Sequence, residues 1–400
     1  MSLHTSDDGR RVVIIGPGKI GCGYLAPLFA QAGWQVVLAG RSPEVVSRIA
    51  AAGHFDVRTT GEATPQRVEA ESVLIGTEAF DRAIAGAGLV ATAVGMGGPR
   101  DLGLPLARAL AARGLARPVD VWAVENADVG PVLRDAVRSA AAALGAELPP
   151  VGFASAIAYA AVTQGDWRTS PRPEFFVDGC KRLRVNARPL VRALPALPGV
   201  GATNRYDELL RDKRFVFGAG HALCAYLGLR RGHRFIHEAV RDPLLLPLIT
   251  TSLEAAREAV GDAGVEASGT VEAILDRYAN VALRDPLQRV ARDPMRKLGP
   301  EGPLVGPARL VTDATGRVPA GFAAGIAAAL RLRQPGDRQA RALTQLVARG
   351  GAAGVLQEVC GVDPDEPLGR EVLRLHDHWA APVTHPARFG RADRPVALAA

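Results

Sequence analysis

The sequence predicts an α/β protein with two parts: a doubly wound, largely parallel sheet with helices on both faces, then a mostly α-helical domain. Three observations predict it. A glycine-rich turn follows an apolar run near the start of the chain, strand-like and helix-like segments alternate to about residue 150, and helix-period patterns dominate beyond about residue 200. We therefore divide the 400 residues into a disordered tail (1–10), a sheet domain (11–200) and a helical domain (201–400).

The glycine-rich turn has the spacing G-x-G-x-x-G and lies between an apolar run at 12–15 and a helix-period segment. A second apolar run follows at 35–39. This strand–turn–helix–strand context is the one that a dinucleotide-binding Rossmann-type domain requires. The alternative is a glycine-rich turn that binds no ligand. Backbone N–H groups at the helix start then face the phosphates of the dinucleotide. The residues that we expect at these phosphates are Gly16, Gly18, Lys19, Ile20 and Gly21.

The end of the second strand indicates which dinucleotide binds. Domains that prefer NAD usually carry an acidic residue there, which holds the ribose 2′-hydroxyl. This chain has Gly40, Arg41 and Ser42 instead. Arg41 can bind a 2′-phosphate and Ser42 can donate a hydrogen bond to it, so we expect NADP(H) to be preferred, with NAD(H) possible. The alternative is a solvated arginine at a strand end.

Two further strand ends belong to the predicted cofactor site. The apolar segment 88–94 ends at Val94 and Gly95, and the segment 119–124 is followed by Glu125 and Asn126. In a doubly wound sheet the carboxyl ends of neighbouring strands line the cofactor crevice. We therefore expect these four residues to contact the cofactor.

Composition excludes several classes of protein. The formal net charge is +7, but basic and acidic residues are interleaved, aromatic residues make up 5%, and no nucleic-acid motif is found. No apolar run approaches the roughly 18 residues that span a bilayer, and the N-terminus has no signal-peptide pattern. The four cysteines are widely spaced, which favours a reducing cytoplasm over a disulfide framework or a zinc site.

Helix-period patterns dominate the second half, and a Pro- and Gly-rich stretch at 195–201 marks the expected domain boundary. Before it, the segment 151–162 is apolar and small, and periodicity does not decide between strand and helix. The segments 174–178 and 183–185 are predicted as strands of an extension. The predicted helices cover about 206–229, 234–240, 243–260, 268–279, 283–291, 319–333, 337–349, 352–359 and 366–379, with a break at 300–307.

Lys213 and His221 lie eight residues apart on one predicted helix. Eight residues are about 2.2 turns, so the two side chains lie on broadly the same side. Gly218 and Gly220, between them, would let a ligand approach the backbone. Lys213 is one of only four lysines in a chain whose other Lys/Arg positions are arginine. A position that keeps lysine suggests a need for an amine that can lose its proton.

Several segments together resemble one family nearly from end to end. The chain is similar to the polyol-specific long-chain dehydrogenases, the mannitol dehydrogenase family. The matching segments are GPGKIGCG (16–23), TAVG (92–95), ENADVG (125–130), KRFVFGAGHALCAYLG (213–228), GH (232–233), RYANVALRDPLQRVARDPMRKL (277–298) and GIAAAL (325–330).

The resemblance implies a role for two residues and marks two departures. Lys213 matches the family's general base and His221 matches its substrate-orienting histidine, but Gly218 stands where the family has an asparagine that polarises the reacting oxygen. A further polar position of the family falls at about Ser155, and the charged pair that follows it is replaced by Tyr159 and Ala160. Ser155 is therefore a candidate catalytic support.

Basic residues near 290 are candidates for substrate binding. Arg292, Arg296 and Lys297 could hold an anionic group, such as a phosphate, or form a solvated charge cluster. His233 and His237 have a spacing that could bind a metal, but no third ligand is evident and we expect no metal.

These observations predict an NAD(P)-dependent, metal-independent enzyme that interconverts a polyol or its phosphate and a ketose or its phosphate. Two alternatives remain: a dehydrogenase of another hydroxy or keto compound, such as a cyclitol or sugar acid, and a cofactor-binding protein without catalysis. The resemblance implies a monomer or homodimer acting on an anionic small molecule, with no nucleic-acid or membrane partner.

Overall fold

A computed structural model describes residues 9–261 and 268–379. The chain divides into two compact units, residues 1–210 and 211–400. Of the predicted disordered tail, residues 1–8 lie outside the described residues, as do residues 380–400 of the predicted helical domain. No helix within the described ranges is long and apolar enough to cross a membrane.

The strands all lie in the first unit. They are β1 (Arg11–Ile15), β2 (Gln35–Gly40), β3 (His54–Thr59), β4 (Gln66–Glu69), β5 (Glu71–Leu74), β6 (Leu89–Thr92), β7 (Val119–Val124), β8 (Val151–Ala158), β9 (Val162–Gln164), β10 (Glu174–Val177), β11 (Leu183–Asn186) and β12 (Val200–Thr203).

The larger sheet has eight strands in the order β12-β11-β8-β7-β6-β1-β2-β5. Strands β5 to β8 run parallel to β1 and β2, while β11 runs antiparallel to β8. The chain leaves β1 toward β2 on one side and returns to β6 on the other, so the strand order reverses next to β1. This reversal is the place at which doubly wound sheets bind ligands. The fold class predicted from the sequence is confirmed for this unit.

Apolar layers cover both faces of this sheet. One layer contains Phe29 and Trp122, and the opposite layer contains Phe80 and Leu106, all with no exposed area. Strands that are buried on both faces read as continuous apolar runs. This explains why periodicity left the segment 151–162 undecided: its first eight residues form β8.

A second sheet of four strands, in the order β4-β3-β10-β9, is absent from the sequence prediction except for β10. Its strands are short, and β3 has only two apolar residues, Phe55 and Val57, between charged and polar ones. The central pairing joins β3 to β10 across more than a hundred residues of chain. A local sequence pattern cannot indicate a pairing between strands so far apart in the chain.

The expected domain boundary near residue 200 falls inside β12, which pairs in parallel with β11 of the large sheet. The unit boundary lies at residues 210 and 211 instead. The Pro- and Gly-rich stretch is therefore a connection between two strands of one sheet.

The helices of the first unit are α1 (Ala26–Gln31), α2 (Pro43–Ala52), α3 (Glu78–Gly86), α4 (Gly98–Asp101), α5 (Gly103–Ala111) and α6 (Gly130–Leu144). A helix α7 (Tyr206–Asp212) crosses the unit boundary. The second unit contains α8 (Gly218–Arg230), α9 (Ile236–Ala239), α10 (Leu245–Val260), α11 (Val271–Tyr278), α12 (Leu287–Val290), α13 (Pro294–Leu298), α14 (Val305–Thr315), α15 (Ala320–Leu330), α16 (Arg338–Val355) and α17 (Pro367–His378). Segments of π-helix lie at Gly21–Leu25, Lys213–Phe217 and Leu356–Cys360, with a 3₁₀ turn at Val281–Leu283.

Helix α14 begins inside the stretch 300–307 that the sequence suggested was a break. Proline and glycine there occupy its first turn, where a helix tolerates a missing N–H. Helices α8 and α15 form the centre of the second unit, and α15 is buried all round. Helix α8 is also buried except for Gly218, His221 and Arg230. The site described below therefore lies at the N-terminal end of a core helix.

Candidate active site

The glycine-rich turn after β1 has the shape that a dinucleotide requires. Gly16 has φ +106°, and a Cβ placed on it would lie 2.3 Å from the carbonyl oxygen of Ala93. A Cβ on Gly21 would lie 2.1 Å from the carbonyl oxygen of Gly16, whereas a Cβ on Gly18 would meet nothing within 4 Å. The outer glycines therefore allow the turn to pack, and Gly18 leaves the backbone open to a ligand. These residues fit a bound pyrophosphate.

The first helical turn after Gly18 contains Lys19 and Ile20, both half-buried. The N–H of Cys22 donates to the carbonyl of Gly18 at 2.8 Å, which closes the turn. A π-helical turn and α1 follow, so the chain here has the strand–turn–helix order expected from the sequence.

The end of β2 presents a cation to solvent. The side chain of Arg41 is 85% exposed, and its Nη1 lies 4.0 Å from Oδ2 of Asp101. Ser42 is the N-cap of α2, where its Oγ accepts from the N–H of Val45 at 3.4 Å. The hydroxyl proton of Ser42 is not used by that bond and stays available to an acceptor.

The loops after β6 and β7 are joined to each other. The N–H of Gly95 donates to Oε1 of Glu125 at 2.7 Å, so Glu125 shapes the loop after β6. Val94 is half-buried and Asn126 is exposed. The structure thus brings these four predicted residues together at one edge of the sheet.

Ser155, the candidate catalytic support, is buried, with 1% of its surface exposed. Its Oγ accepts from the N–H of Gly130 at 2.7 Å and donates to Oδ1 of Asp128. Both bonds fasten the start of α6 to β8. These bonds give Ser155 a structural role, and a catalytic one stays a prediction.

Lys213 begins a π-helical turn, Lys213–Phe217, that leads into α8. The N–H of Gly218 donates to the carbonyl of Lys213, five residues back. A π turn holds more residues than an α turn. The side chains of Lys213 and His221 therefore point in more nearly the same direction around the helix axis than they would in a regular α-helix with the same spacing. Lys213 itself is half-buried.

Gly218 provides no polar group beside Lys213. A Cβ placed on it would lie 3.2 Å from the carbonyl oxygen of Lys213 and 3.7 Å from Cβ of Pro303. The distance to Pro303 is an ordinary van der Waals contact, whereas the distance to the carbonyl is tight, so a side chain here would require that carbonyl to move slightly. Glycine at this position therefore gives the site no polar donor, and packing allows at most a small side chain.

His221 is held by a buried carboxylate that the sequence analysis did not identify. Its Nε2 lies 3.3 Å from Oδ2 of Asp285. Arg289 forms a double hydrogen bond with the same carboxylate, at 2.7 and 2.5 Å. Burial alone raises the pKa of the Asp285 carboxyl, but the bonds with His221 and Arg289 outweigh it and hold that pKa well below its ordinary value.

Tyr278 covers one face of the same imidazole. The two rings are nearly parallel, with centroids 5.2 Å apart and an angle of 18°. A Cβ on Gly220 would lie 3.0 Å from Cε2 of Tyr278, so glycine at this position makes the stacking possible. Tyr278 and Asp285 both lie in the segment 277–298, whose resemblance to the family was the signal that could have pointed to them.

The three basic residues predicted to bind an anion have different environments. Arg292 and Arg296 are exposed, but Lys297 is only 7% exposed and its Nζ donates to the carbonyl of Arg292. Burial, reinforced by the charge of Arg296, lowers the pKa of Lys297 to about 7. Lys297 is therefore not part of a solvated surface cluster. Arg289, which binds the carboxylate of Asp285, also contributes to lowering the pKa of Lys297.

The two histidines considered as metal ligands have other partners. His233 Nε2 lies 2.7 Å from Oδ2 of Asp242, and the ring of His237 stacks on Phe235. Among residues 9–261 and 268–379, no group of three His, Cys, Asp or Glu side chains could hold a metal ion.

Comparison with known proteins identifies relatives along nearly the whole chain. Residues 208–358 match the family described as Mannitol dehydrogenase C-terminal domain. A mannitol-1-phosphate 5-dehydrogenase of an Arthrobacter species is 32% identical over 390 residues, covering 93% of this chain and 99% of the relative. One from Geobacillus thermodenitrificans is 32% identical over 381 residues, covering 90% and 96%.

A solved structure supports the fold. Mannitol 2-dehydrogenase from Pseudomonas fluorescens, in a ternary complex with NAD and D-mannitol, superimposes with a TM-score of 0.73. The match covers 92% of this chain and 90% of that one, at 17% identity. A D-sorbitol dehydrogenase gives a TM-score of 0.69 at 16% identity, covering 93% and 94% of the two chains.

A dinucleotide cradle in one unit and a lysine–histidine pair in the other are the parts of an NAD(P)-dependent dehydrogenase that acts on a CH–OH group. The relatives then fix the family. The chain belongs to the mannitol dehydrogenase family of polyol dehydrogenases, as its resemblance in sequence predicted.

Proposed function

We propose that this enzyme interconverts a polyol phosphate and a ketose phosphate, as in the reaction between mannitol 1-phosphate and fructose 6-phosphate, and prefers NADP(H). The observation that carries the proposal is the pair formed by Lys213 and His221, which a π turn brings toward one line on the end of a core helix. The names of the relatives, mannitol-1-phosphate 5-dehydrogenases, support the substrate.

In this proposal Lys213 is the general acid and base. During oxidation its neutral amine takes the proton of the substrate hydroxyl, and the carbinol carbon loses a hydride as the carbonyl forms. The nicotinamide, when bound, accepts that hydride. In the reverse direction the ammonium of Lys213 returns a proton to the oxygen as the alcohol forms. His221 orients the substrate by a hydrogen bond, and no metal ion takes part.

The phosphate is assigned to the basic residues of the segment 289–297. Arg292 and Arg296 are exposed and can form forked hydrogen bonds with phosphate oxygens. Lys297 is buried and bonds the carbonyl of Arg292, and a bound anion nearby would favour its charged form. Arg289, at the start of this segment, binds the carboxylate of Asp285 that also faces His221, which supports placing the group near His221.

The preference for NADP(H) is assigned to the end of β2. Arg41 is exposed and Ser42 retains its hydroxyl proton, so both can bind a 2′-phosphate. No acidic residue occupies the position that holds the 2′-hydroxyl in NAD-preferring domains. The cradle residues Gly16, Gly18 and Gly21 would hold the pyrophosphate, with Lys19 and Ile20 at the first turn.

A second candidate function follows from Gly218. Removal of one donor to a developing oxyanion commonly costs about 100- to 1,000-fold in rate. Position 218 carries no side chain, and a Cβ there would meet the carbonyl of Lys213 at 3.2 Å, which is a tight contact. An enzyme whose natural substrate differs from a hexitol phosphate, such as a cyclitol or a sugar acid, would explain why the donor was not retained.

The test is oxidation of NADPH and of NADH with fructose 6-phosphate, fructose and a panel of keto-cyclitols and keto sugar acids. We expect turnover with fructose 6-phosphate, and faster turnover with NADPH. Activity only on another compound would establish the second candidate. Cofactor binding without turnover on any compound would instead support a non-catalytic protein.

A further inference from the structure

We propose that Asp285 is a positioning residue that fixes the tautomer of His221, so that Nδ1 is the nitrogen offered to the substrate. The inference deepens the proposed function and rests on it for the role of His221. It assigns a task to a carboxylate that does not itself touch the reacting atoms.

Asp285 accepts hydrogen bonds and cannot donate them. Its carboxyl is held in the ionised form, because its bonds with His221 and Arg289 outweigh the cost of burial. An ionised carboxylate has only acceptor sites. The nitrogen of His221 that faces it, Nε2 at 3.3 Å, must therefore carry a proton. In the neutral imidazole the lone pair is then on Nδ1.

The backbone of Asp285 is fixed as well as its side chain. Its carbonyl accepts from the N–H of Ile236 at 3.0 Å, and the next residue, Pro286, pairs with Phe235 in an isolated β-bridge. Arg289, one helical turn further on, binds both carboxylate oxygens. The carboxylate is 6% exposed, so water does not compete for it. The acceptor therefore has one position and one orientation.

The remaining surroundings of His221 leave few choices for a ligand. Tyr278 covers one face of the ring and Asp285 takes one edge. A neutral imidazole with its lone pair on Nδ1 accepts a hydrogen bond from a substrate hydroxyl, and the protonated form donates to an oxygen. Either bond orients the substrate beside the reacting carbon. The opposite tautomer would present an N–H, so it could not accept a hydrogen bond from a substrate hydroxyl other than the one that Lys213 deprotonates.

The same three residue types occur a second time in this unit. Asp242 binds His233 at 2.7 Å and Arg231 at 2.5 Å, and its side chain is as well buried as that of Asp285. No proposed role involves Asp242, whose other bonds are to the N–H groups of Leu244 and Leu245. It provides a matched control for the structural cost of losing a buried carboxylate that binds histidine and arginine.

The test compares Asp285→Asn with Asp242→Asn. In Asp285→Asn, Arg289 binds the amide oxygen, which leaves the amide NH₂ to face Nε2 and reverses the tautomer of His221. We expect kcat to fall by about 100-fold or more, as when the equivalent change reverses the tautomer of a catalytic histidine. The dissociation constant of NADPH should not change. Asp242→Asn should keep kcat.

The tautomer itself is read by long-range ¹H–¹⁵N correlation spectra of the histidine side chains, with His221 assigned by its absence in His221→Asn. We expect Nδ1 of wild-type His221 to be the unprotonated nitrogen. An unprotonated Nε2 in the wild type would overturn the proposal, and this measurement stands even where Asp285→Asn does not fold. Equal kcat in the two variants would overturn it also.

These spectra are recorded without substrate. A wild-type enzyme that shows the expected tautomer but no turnover of polyol or ketose phosphates would contradict the proposed function while leaving the positioning of His221 intact.

Discussion

The ring of Tyr278 lies against the imidazole of His221, with centroids 5.2 Å apart and an angle of 18°. The tyrosine hydroxyl also donates to the carbonyl of Phe217, at the end of the π turn that begins with Lys213. One side chain thus contacts the segment that presents the lysine and the segment that presents the histidine.

Tyr278→Phe keeps the ring and removes the hydroxyl. We expect the π turn to lose its support, so that kcat for ketose phosphate reduction falls by about tenfold while the dissociation constant of NADPH is unchanged. The free energy of unfolding should fall by about 1–3 kcal/mol, because a buried carbonyl loses its donor. Steady-state kinetics and urea unfolding measure the two effects.

Tyr226→Phe is the matched control for this prediction. The hydroxyl of Tyr226 is also buried in the second unit and donates to a backbone carbonyl, that of Ala291, at 3.0 Å. We expect a similar loss of stability without the loss of kcat. An equal fall of kcat in both variants would mean that the effect of Tyr278→Phe is only a general loosening of the unit.

Lys213→Ala should reduce turnover by two or more orders of magnitude, because general acid–base catalysis typically contributes about 100- to 10,000-fold. Cofactor affinity should stay within twofold of the wild type, which fluorescence titration with NADPH would show. Lys181→Ala is the control: Lys181 is one of the few other lysines and forms an exposed ion pair with Glu62 at 3.2 Å. Turnover retained in Lys213→Ala would remove Lys213 from the mechanism.

Arg41→Ala should weaken binding of NADPH by about 10- to 100-fold and leave binding of NADH unchanged, since a charge-assisted bond contributes about 1.5–3 kcal/mol. Isothermal titration with both cofactors measures the difference. Asp101→Asn should change the affinity for NADPH in the opposite sense. Asp101 lies 4.0 Å from Arg41 and competes with a phosphate for it, so its neutralisation should tighten NADPH binding.

The exposed ion pair of Arg82 with Glu78, at 3.5 Å, offers a control for the Arg41 experiment. Arg82→Ala removes another exposed guanidinium from the same unit and should change neither affinity. A wild-type enzyme that binds NADH at least tenfold more tightly than NADPH would contradict the assignment of Arg41.

The sequence was sufficient for features encoded within a few neighbouring residues. The order strand, glycine turn, helix and strand from β1 to β2 is a local pattern, and the structure confirms it. Most of the helices of the second unit also follow from apolar spacing. The position of a cation at the end of β2 is likewise local, because it depends only on which residue follows Gly40.

Features that depend on distant pairs could not be predicted. The second sheet requires β3 to pair with β10, and neither strand has a sequence pattern that indicates which strand it pairs with. The same reason hid Asp285 and Tyr278, which reach His221 from more than fifty residues further along the chain. Burial is also non-local: Ser155 and Lys297 appear in the sequence as polar residues beside a site, and packing places both in the interior.

The burial of Lys297 predicts how stability changes with pH. Its pKa is about 7 in the folded protein against an ordinary value of 10.5, first because of burial and then because of Arg296. Below pH 7 the amine is charged in both states, and the folded state bears the full cost of burying that charge. Between about pH 7 and pH 10 the unfolded chain binds more protons than the folded one, so Lys297 contributes a stability that rises with pH, by at most about 1.4 kcal/mol per unit. Lys297→Met, which keeps the length of the side chain, should flatten this rise in urea unfolding between pH 7 and pH 9, whereas Lys181→Met should not. An unchanged slope in Lys297→Met would show that the amine stays charged in the folded protein.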